Sequence, residues 1–95
     1  MDDVILTPDG RRVGRLDTVF KSDLPIRAAQ IIQKNRDQVR VLVEPARGYD
    51  KAIGRRILRL LRDRLGPMEM EIEEVSRIPR GPGGKFRAVV SEVST

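Results

Sequence analysis

The 95-residue chain contains no cysteine, no histidine and no tryptophan. The first absence excludes disulfide frameworks, thiol nucleophiles and cysteine-based zinc sites, and it fits a reducing, cytoplasmic setting. The second removes the side chain most often used as a general base near neutral pH. Aromatic residues make up 3% of the chain, one Tyr and two Phe. Such a chain has almost no platform for stacking nucleobases. No apolar run approaches the roughly 18 residues of a membrane span, so no membrane partner is expected. The opening MDDVILTPDG lacks the pattern of a secretory signal.

What the chain does have is charge. Lys and Arg number 19 against 14 acidic residues, a formal net charge of +5. That balance suits an anionic partner such as nucleic acid, a nucleotide or cofactor phosphates, and equally describes the solvated surface of an Arg-rich protein. The length allows one domain with a modest core, burying roughly 60–65% of its unfolded surface. A binding module, or a part of something larger, is favoured over a self-contained enzyme.

Local patterns divide the chain into elements. Val4-Ile5-Leu6 leads into Thr7-Pro8-Asp9-Gly10, a type I turn signature, and Arg11–Leu16 would return antiparallel as a hairpin. RLDTVFK reads as a short extended continuation. The spacing of Ile26, Ala29 and Gln33, with Ala28, Ile31 and Ile32 beside them, predicts a helix over Ser22–Asn35, capped by Ser22 or Asp23 with Pro25 in its first turn. QVRVLVE alternates as a strand that Pro45 ends. GYDKAIGRRILRLLRDRLGP reads as a helix, with Ile53, Ile57, Leu60, Leu61 and Leu65 at helical spacing and Gly66-Pro67 as its stop. MEMEIEEV alternates again, Met68, Met70 and Ile72 opposing Glu69, Glu71 and Glu73, which makes the methionines core residues. KFRAVVSEV is compatible with a short strand or a last helical turn. The expected fold is α+β: a small sheet with two helices packed on one face, plus an N-terminal hairpin.

Three groups of residues are candidates for chemistry. RIPRGPGGKFRAV places Lys85 after Gly81, Gly83 and Gly84. A glycine loop before a lysine suggests a phosphate cradle, but the P-loop pattern demands Ser or Thr next, and Phe86 stands there. The plain alternative is a flexible surface loop with a solvated lysine. GRRVGRLD gathers Arg11, Arg12 and Arg15 around Gly10 and Gly14, with Asp17 following, which suggests a bend or hinge; the alternative is an ordinary basic hairpin. Arg55, Arg59 and Arg62 form a basic stripe that could track a phosphate backbone and more commonly is a solvated face.

Taken together and in this order, GRRVGRLDTVFK and RIPRGPGGKFR resemble the two signatures of the C-terminal domain of adenylate-forming (AMP-binding) enzymes. The resemblance is to the phenylacetate–coenzyme A ligase and capsular polysaccharide protein branch, and it runs over residues 10 to 90. It implies a ferredoxin-like C-terminal domain of a two-step ligase: a carboxylic acid substrate attacks the α-phosphate of ATP, releasing pyrophosphate, and a thiol then takes the acyl group. It implies ATP or AMP with Mg2+, bound mainly by a large N-terminal adenylation domain in the same or a separate chain, and coenzyme A as a candidate acceptor. By position, Lys85 matches the adenylation lysine, Asp17 the hinge and Arg15 a nucleotide-binding arginine. Lys21 and Arg12 fall where phosphate or coenzyme A contacts would lie. The implied division is 1–17 as hairpin and hinge region and 18–95 as mobile lid, with Gly81, Gly83 and Gly84 as a flexible loop. No metal site is expected in this chain. The glycine that ordinarily follows the basic residue is replaced by Ser22-Asp23-Leu24-Pro25, which leaves the thiol acceptor open. Without the large domain the chain is expected to be inactive.

Two other readings compete. A small basic nucleic-acid-binding domain explains the charge and the arginine stripe, but not the glycine–lysine loop. A free-standing regulatory or interaction domain explains an isolated chain but not Lys85. Dimerisation through an exposed strand edge is a further expectation.

Overall fold

Thr7-Pro8-Asp9-Gly10 forms the expected turn, and a computed structural model, which describes residues 3–21, 23–84 and 86–93, shows what holds it. The Gly10 N–H donates to the Thr7 carbonyl at 3.0 Å, and the Thr7 N–H donates to the Arg11 carbonyl at 2.9 Å. The Thr7 hydroxyl bonds the Asp9 carboxylate. That hydroxyl first, and the Arg11 guanidinium second, hold the Asp9 carboxyl below its usual range. The flanking strands β1 (Ile5–Leu6) and β2 (Arg12–Val13) pair antiparallel.

The chain then departs from two sequence expectations. RLDTVFK does not continue extended; it closes into a 3₁₀ helix, Leu16–Lys21. The three-residue period of such a helix puts Leu16 and Val19 on one face, and both are buried. The larger correction concerns the helix expected over Ser22–Asn35. Ser22 lies outside the described residues, and Ile26–Asn35 is a strand, β3. It sits inside a four-stranded sheet whose order across is Glu69–Glu74, Gln38–Pro45, Ile26–Asn35, Val89–Ser91. β4 (Gln38–Pro45) pairs with it antiparallel and β6 (Val89–Ser91) parallel. Ala29, Ile31 and Gln33 share one face, as period two requires. The buried glutamine is what hid the alternation, because a polar residue at a core position reads as solvent-facing.

The remaining elements match their patterns. Helix α1 (Lys51–Leu65) starts at Asp50, whose carboxylate accepts the Ile53 N–H at 3.0 Å, and ends at Gly66. Strand β5 (Glu69–Glu74) runs parallel to β4, so β4-α1-β5 is a crossover unit. Within the last segment, Val89–Ser91 is the strand β6. The fold is α+β as expected, with α1 and the 3₁₀ helix taking the place of the two helices foreseen.

The register fixes the core. Ile31, Val41, Ile72 and Val89 line up on one face, with Ala29, Val39, Val43 and Met70. Ile57, Leu61 and Leu65 of α1 and Leu16 and Val19 of the 3₁₀ helix join them in one cluster. On the opposite face lie Gln30, Ile32, Arg40, Leu42, Glu44, Glu69, Glu71 and Glu73. The connection from β5 to β6 must travel from one sheet edge to the other, and it crosses this second face. Ile78 is fully buried beneath it. Its N–H donates to the Glu44 carboxylate at 2.7 Å, and the Gln30 side chain donates to the Arg87 carbonyl at 2.9 Å.

Gln33 joins the hairpin to the sheet. Its side-chain N–H donates to the Leu6 carbonyl at 2.7 Å. Its Oε1 accepts from the Leu6 N–H at 3.1 Å and the Ser91 hydroxyl at 3.0 Å. Gln33→Leu strands two backbone groups and a hydroxyl, and should lower unfolding free energy by about 2 kcal/mol in urea titration.

Gly54 is needed for a different reason. A Cβ there would lie 2.9 Å from the Tyr49 hydroxyl and 3.4 Å from Ile72 Cδ1. Alanine should therefore fail to deliver its helix-propensity advantage of about 1 kcal/mol until the hydroxyl is removed. The double variant Gly54→Ala/Tyr49→Phe should melt above Gly54→Ala alone by more than Tyr49→Phe melts above wild type.

Candidate functional site

The first half of β3 is left unpaired on one side, because β6 reaches only Ile31, Ile32 and Gln33. The 3₁₀ helix stands beside this free edge, and the β5–β6 connection comes round to meet it. Between them is a groove of about 350 Å³, with Asp17, Phe20, Lys21, Arg27, Arg80 and Phe86 around it. Residues from both ends of the chain thus face one concavity.

Each wall has a local cause. With Leu16 and Val19 turned into the core, Asp17, Phe20 and Lys21 are left to line the groove. Lys21 and Asp17 approach to 3.6 Å as an exposed i,i+4 pair. Such a pair contributes little to stability and leaves both groups available to a ligand. Arg15, just before the helix, is left-handed at φ 57, unusual for a residue with a Cβ. Its carbonyl explains the conformation: it accepts from the Thr18 N–H at 3.2 Å, the Thr18 hydroxyl at 2.8 Å and Arg64 Nη2 at 3.4 Å. On the facing wall the Arg80 guanidinium carbon stands 4.5 Å from the centre of the Phe86 ring. This cation–π contact orients an exposed arginine at the mouth. Lys21, Arg27 and Arg80 against Asp17 make the groove cationic, and Phe20 and Phe86 give it apolar surface. A small ligand with an anionic group and a flat or apolar part fits that chemistry.

The expected site residues are distributed unevenly. Asp17 and Lys21 face the groove. Arg12 lines a separate depression with Asp3, Val4, Leu6, Ser91 and Val93. Arg15 contributes its backbone, and its side chain is not among those lining the groove. Lys85 lies outside the described residues. Gly81, Gly83 and Gly84 form a hydrogen-bonded turn, the Gly84 N–H donating to the Gly81 carbonyl at 3.0 Å. Gly83 and Gly84 are both left-handed, at φ 76 and 75, a succession that side chains with a Cβ disfavour. Among the described residues no cluster of three carboxylate, His or Cys side chains is placed to hold a metal ion. Nor is any helix there long and apolar enough to cross a membrane.

Sequence reasoning missed Arg27, Arg80, Phe20 and Phe86 as lining residues. Arg80 and Phe86 bracket the glycine loop, so their proximity to Lys85 in sequence was an available signal. Arg27 offered none, since its segment read as helix.

The hairpin belongs to the same body as the groove. Ile5 and Leu16 are fully buried in the common core. Asp3 pairs with Arg87 at 2.6 Å, its N–H donates to the Val89 carbonyl at 3.0 Å, and its carboxylate accepts the Ser91 N–H at 2.8 Å. Arg11 donates to the Leu65 carbonyl at 3.1 Å, at the end of α1.

No curated protein matches this chain. A family comparison does match, over residues 5–92, which takes in the hairpin, both groove walls and β6. That span covers nearly the whole chain, which belongs to the CapK C-terminal domain family.

Proposed function

We propose that this chain is the C-terminal domain of an ATP-dependent, acyl-adenylate-forming ligase, carrying Lys85 to an active site built by a larger adenylation domain. The observation that supports this best is the convergence of GRRVGRLDTVFK and RIPRGPGGKFR on one cationic groove, with Lys85 between Gly84 and Phe86. In this reading the Lys85 ammonium stands beside the substrate carboxylate and the α-phosphate of ATP. There it offsets the charge that builds as the carboxylate oxygen attacks phosphorus and pyrophosphate departs. Arg80 and Lys21 supply further positive potential at the same mouth. The larger domain would hold the Mg2+ of ATP, which would offset phosphate charge there. A thiol, with coenzyme A the leading candidate, attacks the acyl carbonyl in the second step and releases AMP.

The reading includes rotation between two poses, and the packing bears on where the pivot lies. Turning residues 18–93 about Asp17 while 3–16 stayed behind would uncover Ile5 and Leu16 and break the Leu6–Gln33 and Asp3–Arg87 contacts. Re-exposing each aliphatic side chain costs about 1.5–3 kcal/mol. In this reading the chain from Asp3 onward moves as one unit, with the pivot ahead of Asp3. On that pivot Asp17, matched to the hinge by the resemblance, would act as a groove residue.

Two measurements test these statements in a protein reconstituted with its adenylation domain. Lys85→Ala should reduce acid-dependent pyrophosphate exchange by about a hundredfold or more, the scale of one lost transition-state donor. Thioester formation from supplied acyl-adenylate should stay near wild type; equal loss of both steps would refute the role. The chain has no native cysteine, so Asp3→Cys/Arg87→Cys can be joined by a short bismaleimide. Both half-reactions should survive the cross-link. Loss of either would return the pivot to Asp17.

A further inference from the structure

Helix α1 carries Lys51, Arg55, Arg56, Arg59, Arg62 and Arg64 against a single acid, Asp63. With those six and that one removed from the chain's 19 and 14, thirteen charges of each sign remain. The whole formal net charge of +5 therefore resides on one helix. The salt bridges among the described residues all lie elsewhere, at the hairpin, the 3₁₀ helix and the sheet. Arg55, Arg56, Arg59 and Arg62 are exposed. Six cations on one helix, with a single acid among them, repel each other and raise the free energy of the isolated fold. Helix formation does not require them, since Asp50 caps α1 and its buried face supplies the packing.

The shape of this surface narrows what it meets. Arg55, Leu58, Arg59, Arg62 and Asp63 enclose a shallow depression of about 440 Å³. Leu58 is half-buried and packed against the core, and it lines this depression beside Arg55, Arg59 and Arg62. Positions 55 to 62 span about 10 Å of helix axis, so the three arginines form a short comb. An apolar side chain among arginines is the composition of a protein–protein contact. A nucleic-acid backbone has no group to fill the Leu58 position, and α1 carries no aromatic side chain on which a base could stack. A lipid surface would call for several aromatic or bulky apolar anchors, which the half-buried Leu58 does not supply. A second copy is disfavoured by the +5 on each molecule, and Glu71 and Glu73 already face Arg40 within the chain.

We infer that the exposed face of α1 docks an acidic protein surface, one presenting carboxylates at helical spacing around an aliphatic side chain that seats on Leu58. This surface is separate from the groove and does not depend on the ligase reading. Arginine suits the task because its planar fork takes carboxylates in pairs and is weakly hydrated.

The probe is a labelled helical peptide of roughly 20 residues with glutamates flanking a central leucine. A thymidine oligonucleotide of equal charge and vesicles containing phosphatidylglycerol serve as comparators. Anisotropy should show saturable peptide binding that weakens as salt rises. Arg59→Glu should weaken it by about tenfold or more, and Leu58→Ala by about fivefold. Leu58→Ala should leave the oligonucleotide unaffected. Circular dichroism melts of both variants check that α1 still folds, and Arg56→Gln gives a second exposed charge change if either melts low. Absent peptide binding, tighter binding to the oligonucleotide or vesicles, or indifference to Leu58→Ala would each overturn the inference. So would self-association that Arg59→Glu disperses.

Discussion

The Gln33 carboxamide is the contact on which the rest of this domain depends. It is fully buried on the core face of β3, and it reaches the backbone of Leu6 with both its donor and its acceptor. A two-residue strand pair such as β1–β2 is too short to be stable by itself. Fastened to Gln33, and with Ile5 in the common core, it becomes a third layer boundary of the sheet. Ser91 hydrogen-bonds the same amide oxygen, so the group also sets the position of β6. A single buried side chain therefore links the two ends of the chain through the strand between them.

The groove follows from that arrangement. Because β6 is short and set against the second half of β3, the first half of β3 keeps a free edge. The 3₁₀ helix lies on one side of the edge, and the β5–β6 connection arrives on the other after crossing the sheet over Ile78. Neither wall makes a site alone. The 3₁₀ helix offers one carboxylate and one ammonium, and the connection offers an arginine oriented by a phenylalanine. Their juxtaposition concentrates cations beside apolar surface, which is what an anionic organic ligand requires.

Charge is distributed with the same economy. One edge strand of the sheet is β5, whose residues Glu69, Glu71 and Glu73 face the side opposite α1. A row of like charges on an edge strand opposes pairing with a copy of itself, which weighs against dimerisation through that edge. The positive charge lies across the sheet on α1. Segregation of this kind gives the domain two unlike surfaces at no cost to its core.

What the sequence determined by itself is local. The Thr7–Gly10 turn, the limits of α1, and the alternation of β4 and β5 were legible because turn chemistry, capping and periodicity act within a few residues. The α+β class followed from their order. The tertiary structure alone decided the identity of β3. Its strand geometry is stabilised by β4 and β6, and its core-facing glutamine is satisfied by a hairpin 27 residues away. It also decided that Asp17 and Lys21 share a groove with Arg80 and Phe86, and that the hairpin belongs to the same body. Those outcomes rest on pairings between distant segments, which leave no periodic trace in either segment. A buried polar group, moreover, looks like a surface residue until its partner is in place.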